Sequence, residues 1–287
     1  MKILLLGSNG QLGWELQRTC PEKLTIATCD FPKVDFCSTD SIRKCIDSTE
    51  PDCIINTAAY TAVDKAEQEK DLAWRINCDA VIEIAELCKK NNISLTHIST
   101  DFIFSGQNFK PYQPHDKPNP KSVYGKSKLA GETAVRKILG EKALIIRTAW
   151  LYSSHGNNFV KTMLRLMQEK QSLNVIDEQI GTPTWANGLA LGIWTSLEKK
   201  LTGTFHYTDA GVASWYDFAM AVMEEGIKEN LLDKTIRISP VLSHQFPTPA
   251  KRPMYSVLDK TSFWKATGIA PMHWRIQLRS MLKELHK

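Results

Sequence analysis

A tyrosine and a lysine four residues apart, Tyr124 and Lys128, stand in the stretch Val123-Tyr124-Gly125-Lys126-Ser127-Lys128. At that spacing a phenol and an ammonium share one helix face, a turn apart. Tyr-x-x-x-Lys is common on helices, so the pair alone says little. Its company says more. Gly7-Ser8-Asn9-Gly10-Gln11-Leu12-Gly13 follows one apolar run, and Ser99-Thr100-Asp101 follows another. A glycine cradle for a dinucleotide, a hydroxyl, and a proton donor beside a cation are the parts of a hydride-transfer site.

Each part has a physical reason. Gly7, Gly10 and Gly13 lack a Cβ, so the chain can turn tightly and approach a pyrophosphate at a helix N-terminus. Asn9, Gln11 and Leu12 fill the same cofactor-binding loop. Its spacing is G-x-x-G-x-x-G, which departs from the more familiar G-x-G-x-x-G. Asp30, at the end of the second apolar run, suits the adenosine ribose 2′-OH of NADH. Lys33, three residues on, suits the 2′-phosphate of NADPH, and the residues leave that choice open. Past the third run, Ala58 and Ala59 are small enough for a cofactor to lie flat against a strand end, with Tyr60 beside them. A close strand-to-helix packing turn would use the same small residues.

Thr100 ends the fourth run, where open parallel sheets place their ligands. Its hydroxyl can hydrogen-bond a carbonyl oxygen that is becoming an alkoxide. Ser99 is its rival, but adjacent strand residues face opposite sides, so only one enters the site. Tyr124 is the proton donor. A free phenol titrates near ~10, so an acid–base useful near pH ~7 needs a downward shift of about 3 units, roughly 4 kcal/mol. The Lys128 cation and an oxidised nicotinamide favour the phenolate. Lys128 also has the reach to hold the nicotinamide ribose hydroxyls.

These residues must be positioned by the elements around them. Apolar runs at 2–7, 24–28, 53–56, 95–99 and 143–148 alternate with helical stretches at 11–19, 41–48, 72–90 and 123–139. Such alternation predicts a parallel sheet with helices on both faces. Past Trp150 the pattern loosens. A helix over 158–170, a strand over 173–176 and a turn over 179–184 come first. A helix–strand pair at 186–200 and 203–207 returns to the sheet, and a proline-rich loop over 243–253 precedes a closing helix over 271–286. The expected fold is α/β, a Rossmann-type doubly wound parallel sheet with a smaller, interleaved C-terminal part. Residues 1–150, joined by 184–208, form the nucleotide-binding domain, and residues 151–183 and 209–287 form the sugar-nucleotide-binding part.

Composition narrows the classes. No apolar run reaches the ~18 residues of a membrane span, and the opening run is too short for a signal segment. The expectation is a cytoplasmic protein without a membrane partner. The net charge of +5 is dispersed, and Lys89-Lys90 and Lys199-Lys200 cap helical stretches. That argues against nucleic acid and suits an anionic small molecule. Seven cysteines, an odd count without a C-x-x-C spacing, argue against a disulfide framework or a zinc site.

Nearly the whole chain resembles the dTDP-4-dehydrorhamnose reductases of the extended short-chain dehydrogenase/reductase superfamily. The resemblance rests on Gly7–Gly13, Ala58–Glu67, Ser99–Gly106, Tyr124–Glu132 and Arg147–Tyr152. It continues through Gly156-Asn157-Asn158-Phe159, Asp177–Thr184 and Arg252–Asp259. It implies NADPH-dependent reduction, with NADH accepted, of the C4 ketone of dTDP-4-dehydro-β-L-rhamnose to dTDP-β-L-rhamnose. That product feeds surface polysaccharides such as the O-antigen of lipopolysaccharide. Thr100, Tyr124 and Lys128 then match the catalytic trio. Asp101 and Trp150 match the sugar pocket, with Val63 and Arg252 as further substrate contacts.

Two departures stand out. Phe102 replaces the tyrosine usual after Thr-Asp, which removes a hydroxyl from the sugar side. Some members also join as a dimer through magnesium held by carboxylates on the helix after the Pro-Thr turn. Residues 185–197 contain no Asp or Glu, so the expectation is no metal site, in a monomer or a homodimer. Other readings of the same fold are a non-catalytic NADP-binding regulatory subunit and a related sugar-nucleotide reductase or epimerase.

Overall fold

Short runs that are apolar at every position need cover on both faces. In a computed structural model of the chain each such run of the first half is a strand of one sheet. The structure describes residues 1–286; Lys287, the last residue of the expected sugar-nucleotide part, lies outside the described residues. β1 (Lys2–Leu6), β2 (Thr25–Cys29), β3 (Cys53–Asn56), β4 (Ser94–Thr100) and β5 (Ala143–Thr148) run parallel in the order β2-β1-β3-β4-β5. Four short strands follow: β6 (Leu151–Tyr152), β7 (Ser172–Ile176), β8 (Ile180–Gly181) and β9 (Thr184–Trp185). β10 (Gly203–His206) then joins the sheet outside β5, with Thr204 opposite Ile145. β11 (Ala213–Ser214) pairs with β8, and β12 (Arg237–Val241) pairs with β7.

Period-two alternation divides the sheet's side chains between two cores. Leu4, Leu6, Ile54 and Leu95 pack against α2 (Thr39–Thr49), α4 (Ala80–Asn91) and α5 (Val123–Leu139). Ile3, Leu5, Ile55 and Ile146 pack against α1 (Gln11–Arg18), α7 (Ala186–Glu198) and α9 (Thr261–Thr267). A separate core joins α6 (Phe159–Glu169), α8 (Trp215–Lys228) and α10 (Trp274–Glu284) through Val160, Phe218, Val222 and Leu278. β1 and β3 are neighbours whose continuations run to opposite sides of the sheet. The crevice past their C-terminal ends is where such sheets bind ligands.

The stretch expected as one helix over 72–90 is interrupted. α3 (Lys70–Trp74) passes into a π turn, Arg75–Asp79, before α4 begins. The turn carries the buried Asn77, whose amide donates to the Tyr60 carbonyl (3.1 Å) and Ser127 Oγ (3.1 Å) and accepts from the Tyr60 N–H (2.9 Å). Widened turns of this kind recur at functional sites. Here it ties the segment after β3 to α5.

α5 itself lies unusually close to its neighbours. A Cβ on Gly125 would stand 2.3 Å from the Phe102 carbonyl oxygen, and one on Gly131 would stand 2.2 Å from that of Asn77. One turn beyond Lys128, the fully buried Glu132 takes Arg147 Nη2 at 2.6 Å, Arg147 Nε at 3.0 Å and Ser99 Oγ at 2.7 Å. Arg147, also fully buried, donates to the Pro114 carbonyl at 2.8 Å, and its other contact is His206 Nε2 at 3.1 Å. Burial and the guanidinium's charge push His206 down to about 3, so a neutral ring accepts that bond.

Breaking a buried ion pair by removing one partner costs about 3–5 kcal/mol. Arg147→Met should lose roughly that much stability at pH ~7 in a urea titration. Desolvation opposes ionisation of Glu132, but Arg147 outweighs it and holds the carboxyl below its usual range, so the pair stabilises above the unfolded carboxyl's pKa. The mutant's deficit should therefore shrink as pH falls below that value and through the depressed folded one. A deficit independent of pH would show that lost packing, not the stranded carboxylate, is responsible.

Candidate active site

A cavity of about 700 Å³ opens at the C-terminal ends of β1, β3, β4 and β5. One side of it begins where β1 turns into α1. Gly7 has φ +80°, and a Cβ there would stand 2.5 Å from the Ala58 nitrogen. A Cβ on Gly13 would stand 2.2 Å from the Gly7 carbonyl oxygen. These two glycines are required by the protein's own packing. Gly10 differs, with an ordinary φ of −74° and only the Gly7 oxygen, at 3.4 Å, near an added Cβ. Gly10 lines the cavity, so what its missing Cβ leaves free is room for a ligand.

Asn9, Gln11, Leu12, Asp30, Ala58 and Ala59 line the same side. The Asp30 carboxylate closes the loop by accepting the N–H groups of Asn9 and Phe31, both at 2.8 Å. Lys33 is exposed and lies outside the lining. Tyr60 also lies outside it, its phenol hydrogen-bonded to Glu69 and thereby pushed up to about 12.

Thr100, Asp101, Tyr124 and Lys128 gather at the end of β4. Ser99 turns its hydroxyl away to Glu132, and Thr100 turns toward the cavity, donating to Asp101 Oδ1 at 3.0 Å. Asp101 is buried, and its Oδ2 has no hydrogen-bond partner in the protein. Burial raises this carboxyl to about 6. The N-cap of α5, Ser122, accepts from the Gly125 N–H at 3.1 Å and fixes the helix start that carries Tyr124.

The phenol's titration runs opposite to the sequence expectation. Burial pushes Tyr124 up to about 12; the neighbouring Thr100 hydroxyl pulls the other way, and the nearby Asp101 charge adds to the rise. The Lys128 ammonium is already engaged, donating to the Ile98 carbonyl at 2.7 Å. Burial lowers Lys128 to about 8 against the opposing pull of Glu132. A phenol so placed stays protonated at neutral pH, as a donor must, and an alkoxide formed beside it is basic enough to take its proton.

Val63, Phe102 and Trp150 line the other end of the cavity. Phe102 meets Tyr124 edge-on at 5.5 Å. Arg252 stands outside the lining, held by Asp64 through two bonds of 2.9 and 2.7 Å. Phe36 and Ile76 line the cavity without any signal in the sequence, whereas Asn157 and Asn158 entered only as part of the family stretch, with no site role. Asn158 carried a usable signal, since an Asn before an apolar periodic run is an N-cap; it accepts from the Lys161 N–H at 3.1 Å.

Among the described residues no group of three or more His, Cys, Asp or Glu side chains is arranged to hold a metal ion. The carboxylates nearest α7 already have partners. Arg18 bridges Glu15 (2.6 Å) and Glu284 (2.8 Å), and Asn187 donates to Glu15 at 3.0 Å. A guanidinium stands between these acids, and the cluster does not fit a magnesium ion.

The family model described as RmlD substrate binding domain matches residues 1–287. A dTDP-4-dehydrorhamnose reductase of Salmonella typhimurium is 39% identical over 99% of this chain and 98% of that protein. A crystal structure of a dTDP-4-dehydrorhamnose reductase from Clostridium acetobutylicum superposes with a TM-score of 0.93 at 37% identity, covering 100% of both chains. The enzyme of that name from Bacillus anthracis, solved in complex with NADP, gives 0.92 at 34% identity over 99% of both chains.

Gly10→Ala should melt like the wild type yet lose at least ~10-fold in dinucleotide affinity by fluorescence titration, a factor worth about 1.4 kcal/mol. Full affinity in that variant would place the pyrophosphate elsewhere. A second expectation concerns Lys128, whose donors need the ammonium form. Dinucleotide affinity should fall as pH rises beyond about 8, where the free protein's Lys128 loses its proton. Affinity that stays level from neutral to alkaline pH would remove Lys128 from the binding contacts.

Proposed function

The chain belongs to the dTDP-4-dehydrorhamnose reductase family, and on that premise we propose how it reduces the C4 ketone of dTDP-4-dehydro-β-L-rhamnose to dTDP-β-L-rhamnose. The carrying observation is the meeting of Thr100, Tyr124 and Lys128 beside the glycine cradle in a single cavity. A regulator that only binds a dinucleotide has no use for a buried proton donor there.

The cradle fits a dinucleotide, because Gly10 leaves open room at the N-terminus of α1, whose unpaired N–H groups favour a pyrophosphate. When bound, NADPH supplies the hydride. Gly7 to Gly13 hold its pyrophosphate, Asp30 meets its adenosine ribose, and Ala58 and Ala59 make space along the strand end. NADPH is preferred and NADH accepted: the NADP complex of the Bacillus anthracis relative supports the first, and the Asp30 carboxylate on the cavity lining supports the second. Lys128 holds the nicotinamide ribose and steadies negative charge near the phenol.

Thr100 donates to the ketone oxygen as charge builds on it, which requires its hydroxyl to leave Asp101. Tyr124 then gives its proton to that oxygen. Asp101, with an unpartnered buried oxygen, accepts a sugar hydroxyl, and Val63, Phe102 and Trp150 enclose the ring. Arg252 serves the substrate's anionic end after release from Asp64. The sheet with β10 forms the dinucleotide unit, residues 1–150 and 184–208, and the remaining chain forms the sugar-nucleotide unit.

Removing the proton source without emptying the site should separate binding from chemistry. Tyr124→Phe should lower kcat by at least ~100-fold, the usual scale for a positioned acid, while NADPH binds as before. Thr100→Val should cost less, since one neutral hydrogen bond is at stake. Both are read from loss of reduced-nicotinamide absorbance with dTDP-4-dehydrorhamnose supplied. Near-wild-type turnover by the purified Tyr124→Phe variant would remove the phenol from the mechanism.

A further inference from the structure

Trp150 follows β5 by two residues and adopts φ +48°, a backbone state that bulky residues rarely hold unless their surroundings impose it. The surroundings are visible. Its carbonyl accepts from the Thr184 N–H at 3.1 Å, where β6 begins its pairing with β9. Its indole stacks on Trp215 with ring centroids 3.5 Å apart and planes 6° from parallel. A Cβ on Gly181 would fall 2.5 Å from its Cε2, so this position must stay bare for the ring to fit.

The two flanking residues are themselves fixed to each other. Ala213 pairs with Gly181 and Ser214 with Ile180 in the β8–β11 ladder. Ser214 caps α8 in a reciprocal capping box with Asp217 and also donates to Asp177 at 3.0 Å, so Trp215, the first helical residue, starts from a rigid point. Phe159 braces the far side of Trp215 at 4.7 Å. Trp150 lines the cavity, whereas Trp215 stands behind it.

We propose that Trp215 is a positioning residue for the sugar: with Gly181 it clamps Trp150 in its left-handed conformation and aims the indole at the pyranose end of the cavity. This rests on the sugar-nucleotide reading of the cavity. The clamp comes entirely from residues after β5, so the C-terminal part of the chain sets the sugar end while leaving the cradle untouched. Its loss should therefore damage sugar binding selectively.

The test uses the whole protein with NADPH and dTDP-4-dehydrorhamnose. Trp215→Ala should raise KM for the sugar nucleotide roughly tenfold, the upper scale of one aromatic stack, and leave the Kd for NADPH unchanged. Trp215→Phe keeps a ring behind Trp150 and should restore most of that KM. Far-ultraviolet circular dichroism, where the strong indole transitions couple, should show an exciton couplet from the stacked indoles in the wild type and in neither variant. If Trp215→Ala does not fold, Gly181→Ala displaces the same ring from its other contact and should give the same sugar-selective defect. An unchanged sugar KM in Trp215→Ala, with the couplet lost, would overturn the proposal. So would a parallel rise in sugar KM and NADPH Kd, which marks general loosening. A wild-type protein that binds NADPH but never turns over this sugar would instead count against the reductase reading.

Discussion

A carboxylate and a guanidinium can be buried together only when every polar atom finds a partner, and Glu132 and Arg147 meet that demand through Ser99, Pro114 and His206. This constraint fixes how α5 sits against β4 and β5. Once Glu132 is locked to β5 and to the penultimate residue of β4, the helix turn before it must bring Lys128 to the Ile98 carbonyl. The turn before that brings Tyr124 beside Thr100. Gly125 and Gly131 allow the approach, since any larger side chain would meet backbone oxygen. Registry of the reacting groups thus follows from a charge network on the far side of the strand.

The same economy explains why the chain is interleaved. The cofactor cradle is local to the β1–α1 turn, but a sugar must be enclosed from the opposite side. The chain leaves the sheet after Trp150 to lay down α6, returns with β10 to pair with β5, and then adds α8 and α10, whose Phe218 and Leu278 complete a helical core with α6. That return ties the helical core to the strand whose end holds Trp150. The segment after β6 also reaches back to the cradle, where Asn158 donates to Gln11 at 3.0 Å and His155 meets the Asn9 carbonyl at 3.1 Å.

What the sequence made legible was chemistry carried on contiguous residues. Strands buried on both faces read as unbroken apolar runs, and β3, β5 and α5 begin and end where those runs and the Ser122 cap place them. The glycine cradle and Thr100 were legible for the same reason. Ser214 and Asp217 mark the start of α8, but Trp215, Tyr216 and Met220 carry apolar character around the helix and blur its period in the sequence. β12 is hidden because Pro240 reads as a break, which a strand paired on one side tolerates. Tyr60 lies beside lining residues in sequence, but Glu69 captures its phenol, and Asp64, next to the lining Val63, holds Arg252. Lys128 is legible as a neighbour of the phenol, but the burial that raises the phenol belongs to the packed fold and not to the local sequence.

The central claim is net delivery of a hydride from free coenzyme to the sugar C4, with the proton supplied by the protein. The most direct test is single-turnover reaction of the wild-type protein with NADPH deuterated on its transferable position, followed by NMR of the product. One deuterium, carried on C4 of dTDP-rhamnose, is expected, with stoichiometric oxidation of the coenzyme. Product lacking deuterium, or an epimerised keto sugar formed without coenzyme oxidation, would contradict the claim.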